Sequence, residues 1–116
     1  MKYLLLHYVV EETVADATAA CTADGSLAAW HDEVSAGGGF SLGAHLQPTE
    51  NAATVTTHDG ELLISDGPFT ETKEQIAGFD IIECADLNEA IQKAGRHPTA
   101  ARYGTIEVRP IVEQPA

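Results

Sequence analysis

The run Lys2-Tyr3-Leu4-Leu5-Leu6-His7-Tyr8-Val9-Val10 constrains this chain most. It is almost continuously apolar and rich in strand formers, the pattern of an inner strand covered on both faces. Strand alternation places Tyr3, Leu5, His7 and Val9 on one side and Leu4, Leu6 and Tyr8 on the other. A fold built on this strand needs neighbours at both edges and cover over both faces. His7 is its single polar interruption, an imidazole that titrates near neutral pH. A core histidine satisfied by its neighbours and a catalytic base both fit that position. Glu11-Glu12 closes the apolar run early, so it reads as a strand and not as a leader or a membrane span.

The Ala-rich stretch from Glu11 to Ala36 has helical character, with Leu27, Trp30 and Val34 spaced as one apolar stripe. Asp24-Gly25-Ser26 interrupts it. Val14, Ala17 and Cys21 suggest an earlier continuation, so either the helix starts near Thr22 to Asp24 with a cap or two helical pieces meet there; a short irregular lead followed by the helix is favoured, and Gly37-Gly38-Gly39 ends it. His31, Asp32 and Glu33 fall mostly on its outer side. Phe40 to Leu46 reads as a strand, and Ala52 to His58 pairs with Leu62 to Ser65 through the Asp59-Gly60 turn. Asp66-Gly67-Pro68 is a local stop, because Asp bonds its own backbone, Gly admits positive φ and Pro lacks an N–H.

Gly78 to Cys84 forms a further strand, and Asp86 caps a helix that carries Glu89 at its third position. Gly95 is expected to end that helix, with Arg96 and His97 as cations near its negative end. Tyr103 to Val112 closes the chain as a strand with Ile106 and Val108 on one face and Glu107 and Arg109 on the other. The order is an α+β, ferredoxin-like βαββ(hairpin)βαβ sandwich, one domain over residues 1–116, with both helices on one sheet face. The other face also needs cover, and pairing with a second copy of the chain supplies it.

Composition narrows the function classes. A formal charge of −12 repels phosphate backbones and anionic lipids, and no local basic patch offsets it, so neither nucleic acid nor a membrane surface is an expected partner. Cys21 and Cys84 lie far apart with no metal-ligand spacing, which suits free thiols in a cytoplasmic protein and signals no metal. No phosphate loop, HExxH or other cofactor motif is present, and no cofactor is expected.

The run Ser65-Asp66-Gly67-Pro68-Phe69-Thr70-Glu71-Thr72-Lys73-Glu74-Gln75-Ile76-Ala77-Gly78-Phe79 resembles the signature of the DGPF domain proteins, a branch of the YCII-related family. Gly43-Ala44-His45-Leu46-Gln47-Pro48, Asp86-Leu87-Asn88-Glu89-Ala90 and Ile106-Glu107-Val108-Arg109-Pro110-Ile111 fall in the family's order, so the resemblance covers essentially the whole chain. It implies a dimeric α/β barrel with a cavity between two sheets, and a possible sigma-factor association for some members. In a related YCII protein it implies elimination of chloride from a chlorinated hydroxyquinol, with a His and Asp pair proposed as the active centre in that branch. For the histidine of that pair the first helix offers His31, at a different offset from the YCII histidine, and the first strand offers His7, where no acid is expected. The family pattern often carries Glu at the position of Ala44 and Arg at that of His45, so a polar pair is altered here.

Two functions follow as expectations. One is acid/base chemistry of lyase or isomerase type on a small molecule, with His7, Asp66 and Lys73 as catalytic candidates and His45, Glu71 and Arg109 as ligand-binding candidates. His7 is the preferred base, and Lys73 or Arg109 the candidate stabiliser of an oxyanion. The other is a non-catalytic metabolite- or protein-binding module linked to transcriptional regulation, in which Asp66 caps a turn and Glu71 and Lys73 bridge two chains.

Overall fold

A computed structural model describes residues 1–113. The first strand, β1 (Lys2–Val10), is central, and two later strands flank it: β5 (Glu74–Glu83) and β6 (Gly104–Pro110), both antiparallel to it. The strand β2 (Phe40–His45) adds to the far side of β5, giving the order β2-β5-β1-β6. This is the ferredoxin-like arrangement. Helices α1 (Val14–Ala23), α2 (Ser26–Ser35) and α3 (Leu87–Arg96) join the strands.

The alternation of β1 is realised residue by residue. Tyr3, Leu5, His7 and Val9 are buried, whereas Leu4, Leu6, Tyr8 and Val10 are half-buried. Tyr3 and Leu5 join Trp30 and Val34 of α2, Ile82 of β5 and Ala90 of α3 in one core. Leu5, Val34 and Ile82 are fully buried, each stabilising the fold by roughly 1.5–3 kcal/mol relative to exposure. The Trp30 indole N–H donates to the Lys93 carbonyl at 2.8 Å, so α2 and α3 are joined by a polar contact at the edge of that core.

Two local expectations change. The stretch before Asp24 is a helix in its own right, because alanine is the best helix former and Ala17 and Cys21 give α1 a buried contact. Gly25, at φ +77, turns the chain between α1 and α2, and Asp24 Oδ1 accepts the Ser26 amide at 2.9 Å. At the other end, α3 runs through Gly95 to Arg96. Its start is as expected: Asp86 accepts the Glu89 amide, and Glu89 reaches back to the Ala85 amide, both at 2.9 Å.

The strands β3 (Ala53–His58) and β4 (Glu61–Asp66) form a separate two-stranded sheet. Asp59 and Gly60 both take positive φ, 48° and 80°, as a two-residue I′ turn requires. Val55, Leu62, Leu63 and Ile64 stay exposed on this arm. The radius of gyration, 16.0 Å, exceeds the roughly 13 Å of a compact chain of about 100 residues, in keeping with a projecting hairpin. Among the described residues no helix is long and apolar enough to cross a membrane.

Candidate functional site

His7 stands on the helix-covered face of β1. In the β1–β5 register it lies opposite Gly78, and Leu5 lies opposite Asp80. Asp80 is therefore a diagonal neighbour of His7 on the same face. The register shifts between His7 and Tyr8, leaving Ala77 as an extra residue on β5, a bulge of the kind over-represented next to active sites. His7 Nε2 and Asp80 Oδ2 are 2.7 Å apart, and both residues are buried. Glycines make the room: a Cβ on Gly43 of β2 would collide with Asp80 Oδ1, and one on Gly78 would sit 2.8 Å from the Ala44 carbonyl.

A second histidine joins this pair. His97 is the C-cap of α3, its amide donating to the Ala94 carbonyl, but its side chain is no exposed cation: it turns inward and is buried, its ring 4.3 Å from that of His7 and 4.6 Å from that of Trp30. A π-turn, Thr99–Tyr103, follows it and leads into β6. Such turns are rare and are frequent at functional sites. Thr99 touches both histidines: its hydroxyl lies 3.2 Å from His7 Nδ1, and its amide donates to His97 Nδ1 at 3.0 Å.

These contacts set the protons. Because His97 Nδ1 accepts an amide proton, the neutral ring carries its own proton on Nε2, which faces Asp80 Oδ2 at 4.0 Å. Burial, then the neighbouring His7, His31 and His45, pushes the His97 pKa down to about 3. The His97–Asp80 approach is thus a dipole facing a carboxylate and not an ion pair. With Asp80 ionised, His7 donates from Nε2 and its Nδ1 accepts the Thr99 hydroxyl.

The His7, Asp80 and His97 ligand atoms lie within 4.8 Å of one another, close enough to raise the question of a metal. A ligating imidazole gives its lone pair to the metal and donates from its other nitrogen. His97 is arranged the opposite way, with Nδ1 accepting the Thr99 amide and the ring proton on Nε2.

The network lies against a cleft of about 140 Å³ between the sheet and α1 and α2. Its walls include Val14, Cys21, Leu27, His31, His45 and Tyr103. An adjoining apolar trough under Leu46, Pro48 and Ile76 shares Val9, Val14 and Ala77 with it. Glu11 holds the trough's rim by accepting from the Thr49 hydroxyl and amide, bonds that also lower its pKa.

Of the six residues singled out from sequence, the structure brings two to this cleft: His7 in its buried wall and His45 at its exposed edge. Asp66 ends β4 on the arm, and Glu71 and Lys73 follow in an exposed loop. Arg109 pairs with Glu107 on the opposite face of the sheet. The cleft lies beneath the helices of one chain, whereas the resemblance placed a cavity between two sheets. Asp80 and Thr99 were not singled out from sequence, and His97 was expected only as a helix-end cation. A signal existed for Asp80, one of two carboxylates in the run Gly78 to Cys84 and the one on the same alternation as the buried Ile82 and Cys84, whereas Glu83 falls on the other. His97 and Thr99 carried none, since only the inward turn after α3 aims them at β1.

A family model described as the YCII-related domain matches residues 1–114. An uncharacterised protein of Rhizobium meliloti (strain 1021) is 48% identical over 69 residues, covering 59% of this chain and 56% of that protein. The chain thus spans little more than half the length of that relative. Among solved structures, the 5-chloro-2-hydroxyhydroquinone dehydrochlorinase of Burkholderia phenoliruptrix AC1100, in complex with 2,5-dihydroxybenzoquinone, superposes with a TM-score of 0.54. That match covers 98% of this chain and 96% of the other at 14% identity, and it bears on the fold.

Proposed function

As the chain belongs to the YCII-related family, we propose that it is a small acid/base enzyme that removes a proton beside a carbonyl or ring hydroxyl. The observation that carries this reading is the buried His7 Nε2–Asp80 Oδ2 contact of 2.7 Å against a cleft. Asp80 holds the imidazole in one tautomer and stabilises the imidazolium formed when Nδ1 takes up a proton. Among the described residues the cleft walls hold no Lys or Arg, so an enolate or phenolate forming there is met by side-chain donors such as the Tyr103 hydroxyl and His45. Loss of a leaving group from that anion gives a lyase, and its reprotonation elsewhere an isomerase. The fold shared with a dehydrochlorinase supports a hydroxylated or quinoid ring as the substrate class.

The test is a turnover and thermal-shift screen of halogenated hydroquinones, hydroxyquinones and keto acids. A hit whose turnover falls by about 10²-fold or more in Asp80→Asn and in His7→Gln, each still folded, supports the reading. Turnover that survives both substitutions, or no hit at all with the folded wild-type protein, overturns it.

The same proposal includes a homodimer. The half-buried residues Leu4, Leu6 and Tyr8 and the exposed arm residues Leu62 and Ile64 leave apolar surface uncovered. An isolated two-stranded hairpin is marginally stable at best in water, and a second copy would cover both regions. Free, buried Cys21 and Cys84 suit a reducing, cytoplasmic setting.

A further inference from the structure

His7 has no free nitrogen. Nε2 is held by Asp80 and Nδ1 by the Thr99 hydroxyl. His7 and Asp80 are 5% and 6% exposed, whereas Thr99 is half-buried and lines the cleft. Thr99 thus offers a ligand in the cleft a more accessible polar side chain than the imidazole does. The two polar groups of Thr99 also differ in kind. A hydroxyl rotates and either donates or accepts, but a backbone amide only donates.

We propose that the Thr99 hydroxyl relays protons between the cleft and His7, while the Thr99 amide keeps the adjacent His97 out of the exchange. In the relay the substrate's proton bonds to Thr99 Oγ1 as the original hydroxyl proton passes to His7 Nδ1. The electron pair of the broken bond stays on the substrate. One proton has moved, and His7 is left as an imidazolium paired with Asp80. The reverse steps return the proton to product or water. His97 cannot substitute, because its Nδ1 faces a donor that does not reverse and its ring is buried against Trp30. Asp80 on β5 and His97 after α3 contact His7, and the other titratable groups that share the cleft with it are His31 on α2, His45 on β2, Cys21 on α1 and Tyr103 of the π-turn.

The inference rests on the acid/base reading of His7 and Asp80, but its test needs no substrate. Long-range ¹H–¹⁵N spectra of the labelled full chain report each ring nitrogen separately. In Thr99→Val the His7 Nδ1 resonance is expected to move to a position free of hydrogen bonding, and proton exchange at that site to slow roughly tenfold, the scale of one lost hydrogen bond. Thr99→Ser restores both. His97 Nδ1, still facing the amide, is expected to stay unchanged in each variant and unprotonated at about pH 5, in line with its depressed pKa. If Thr99→Val does not fold, Thr99→Ala serves with the same expectations. An unchanged His7 signal, unslowed exchange, or a His97 signal that shifts with it overturns the relay. A failed substrate screen leaves these spectra unaffected, so the two proposals fail separately.

Discussion

On β1 the odd-numbered and even-numbered residues meet different surroundings. Tyr3, Leu5, His7 and Val9 lie under the helices, where the imidazole of His7 has a partner on each nitrogen. Leu4, Leu6, Tyr8 and Val10 look the other way, alongside Phe79 and Ile81 of β5, with the Glu107–Arg109 pair of β6 at the margin. The first face is a closed, desolvated layer, where a hydrogen bond to a charged group is worth more and an unpaired one costs more. The second is half-buried apolar surface over which no helix of the described residues packs. Chemistry needs the first setting, and association needs the second.

The largest effect that would sharpen this contrast is in the core. Leu5→Ala is expected to lower unfolding free energy by about 2–5 kcal/mol, because the closed layer cannot collapse into the cavity. Leu6→Ala, one residue along, is expected to cost about 1 kcal/mol and to do so in a concentration-dependent way if a second copy covers that face. Urea unfolding at two protein concentrations checks both. Equal, concentration-independent losses would break the distinction.

Acid comes next. His97 titrates at 6.5 in a free chain and at about 3 when folded, so the unfolded state binds the proton first. The stability contributed by keeping this ring neutral is fully present above pH 6.5 and declines as the pH falls toward 3. The loss is about 1.4 kcal/mol per pH unit within that window, or about 2 kcal/mol at pH 5. Unfolding curves from pH 7 to pH 5 should show this slope in the wild type, and His97→Gln should flatten it. A wild-type curve that is already flat would mean that His97 is not held neutral.

The smallest effects on the single chain are expected on the arm. Leu62→Ser, Asp66→Ala and Lys73→Ala should each change monomer stability by within about 0.5 kcal/mol. Leu62→Ser should nonetheless weaken dimerisation in sedimentation. Loss of ligand binding in Asp66→Ala or Lys73→Ala would tie the arm to the cleft and collapse the division of labour.

Much of the fold could be read from local chemistry. The Asp59-Gly60 turn, the Asp86 and Glu89 caps and the alternation of β1 are each decided within a few residues of chain, so periodicity and turn residues report them directly. The helix before Asp24 was under-read because the Asp24-Gly25-Ser26 break has two local solutions, and the buried contacts of Ala17 and Cys21 settle between them. The site was far less legible. Asp66, Glu71 and Lys73 drew attention as a dense charged run, yet they occupy the solvated arm and loop.

The chain by itself determined the strand on which everything is built, the turns that connect its partners, and the presence of one imidazole on an apolar face. It could not determine what that imidazole touches. Asp80 is 73 residues away and Thr99 92 residues away, and such contacts depend on strand register and on the inward turn after α3. Register is fixed by the packing of a whole sheet face, and a change of one residue would send Asp80 to the opposite side. Tertiary structure thus turned a lone histidine into one member of a hydrogen-bonded network.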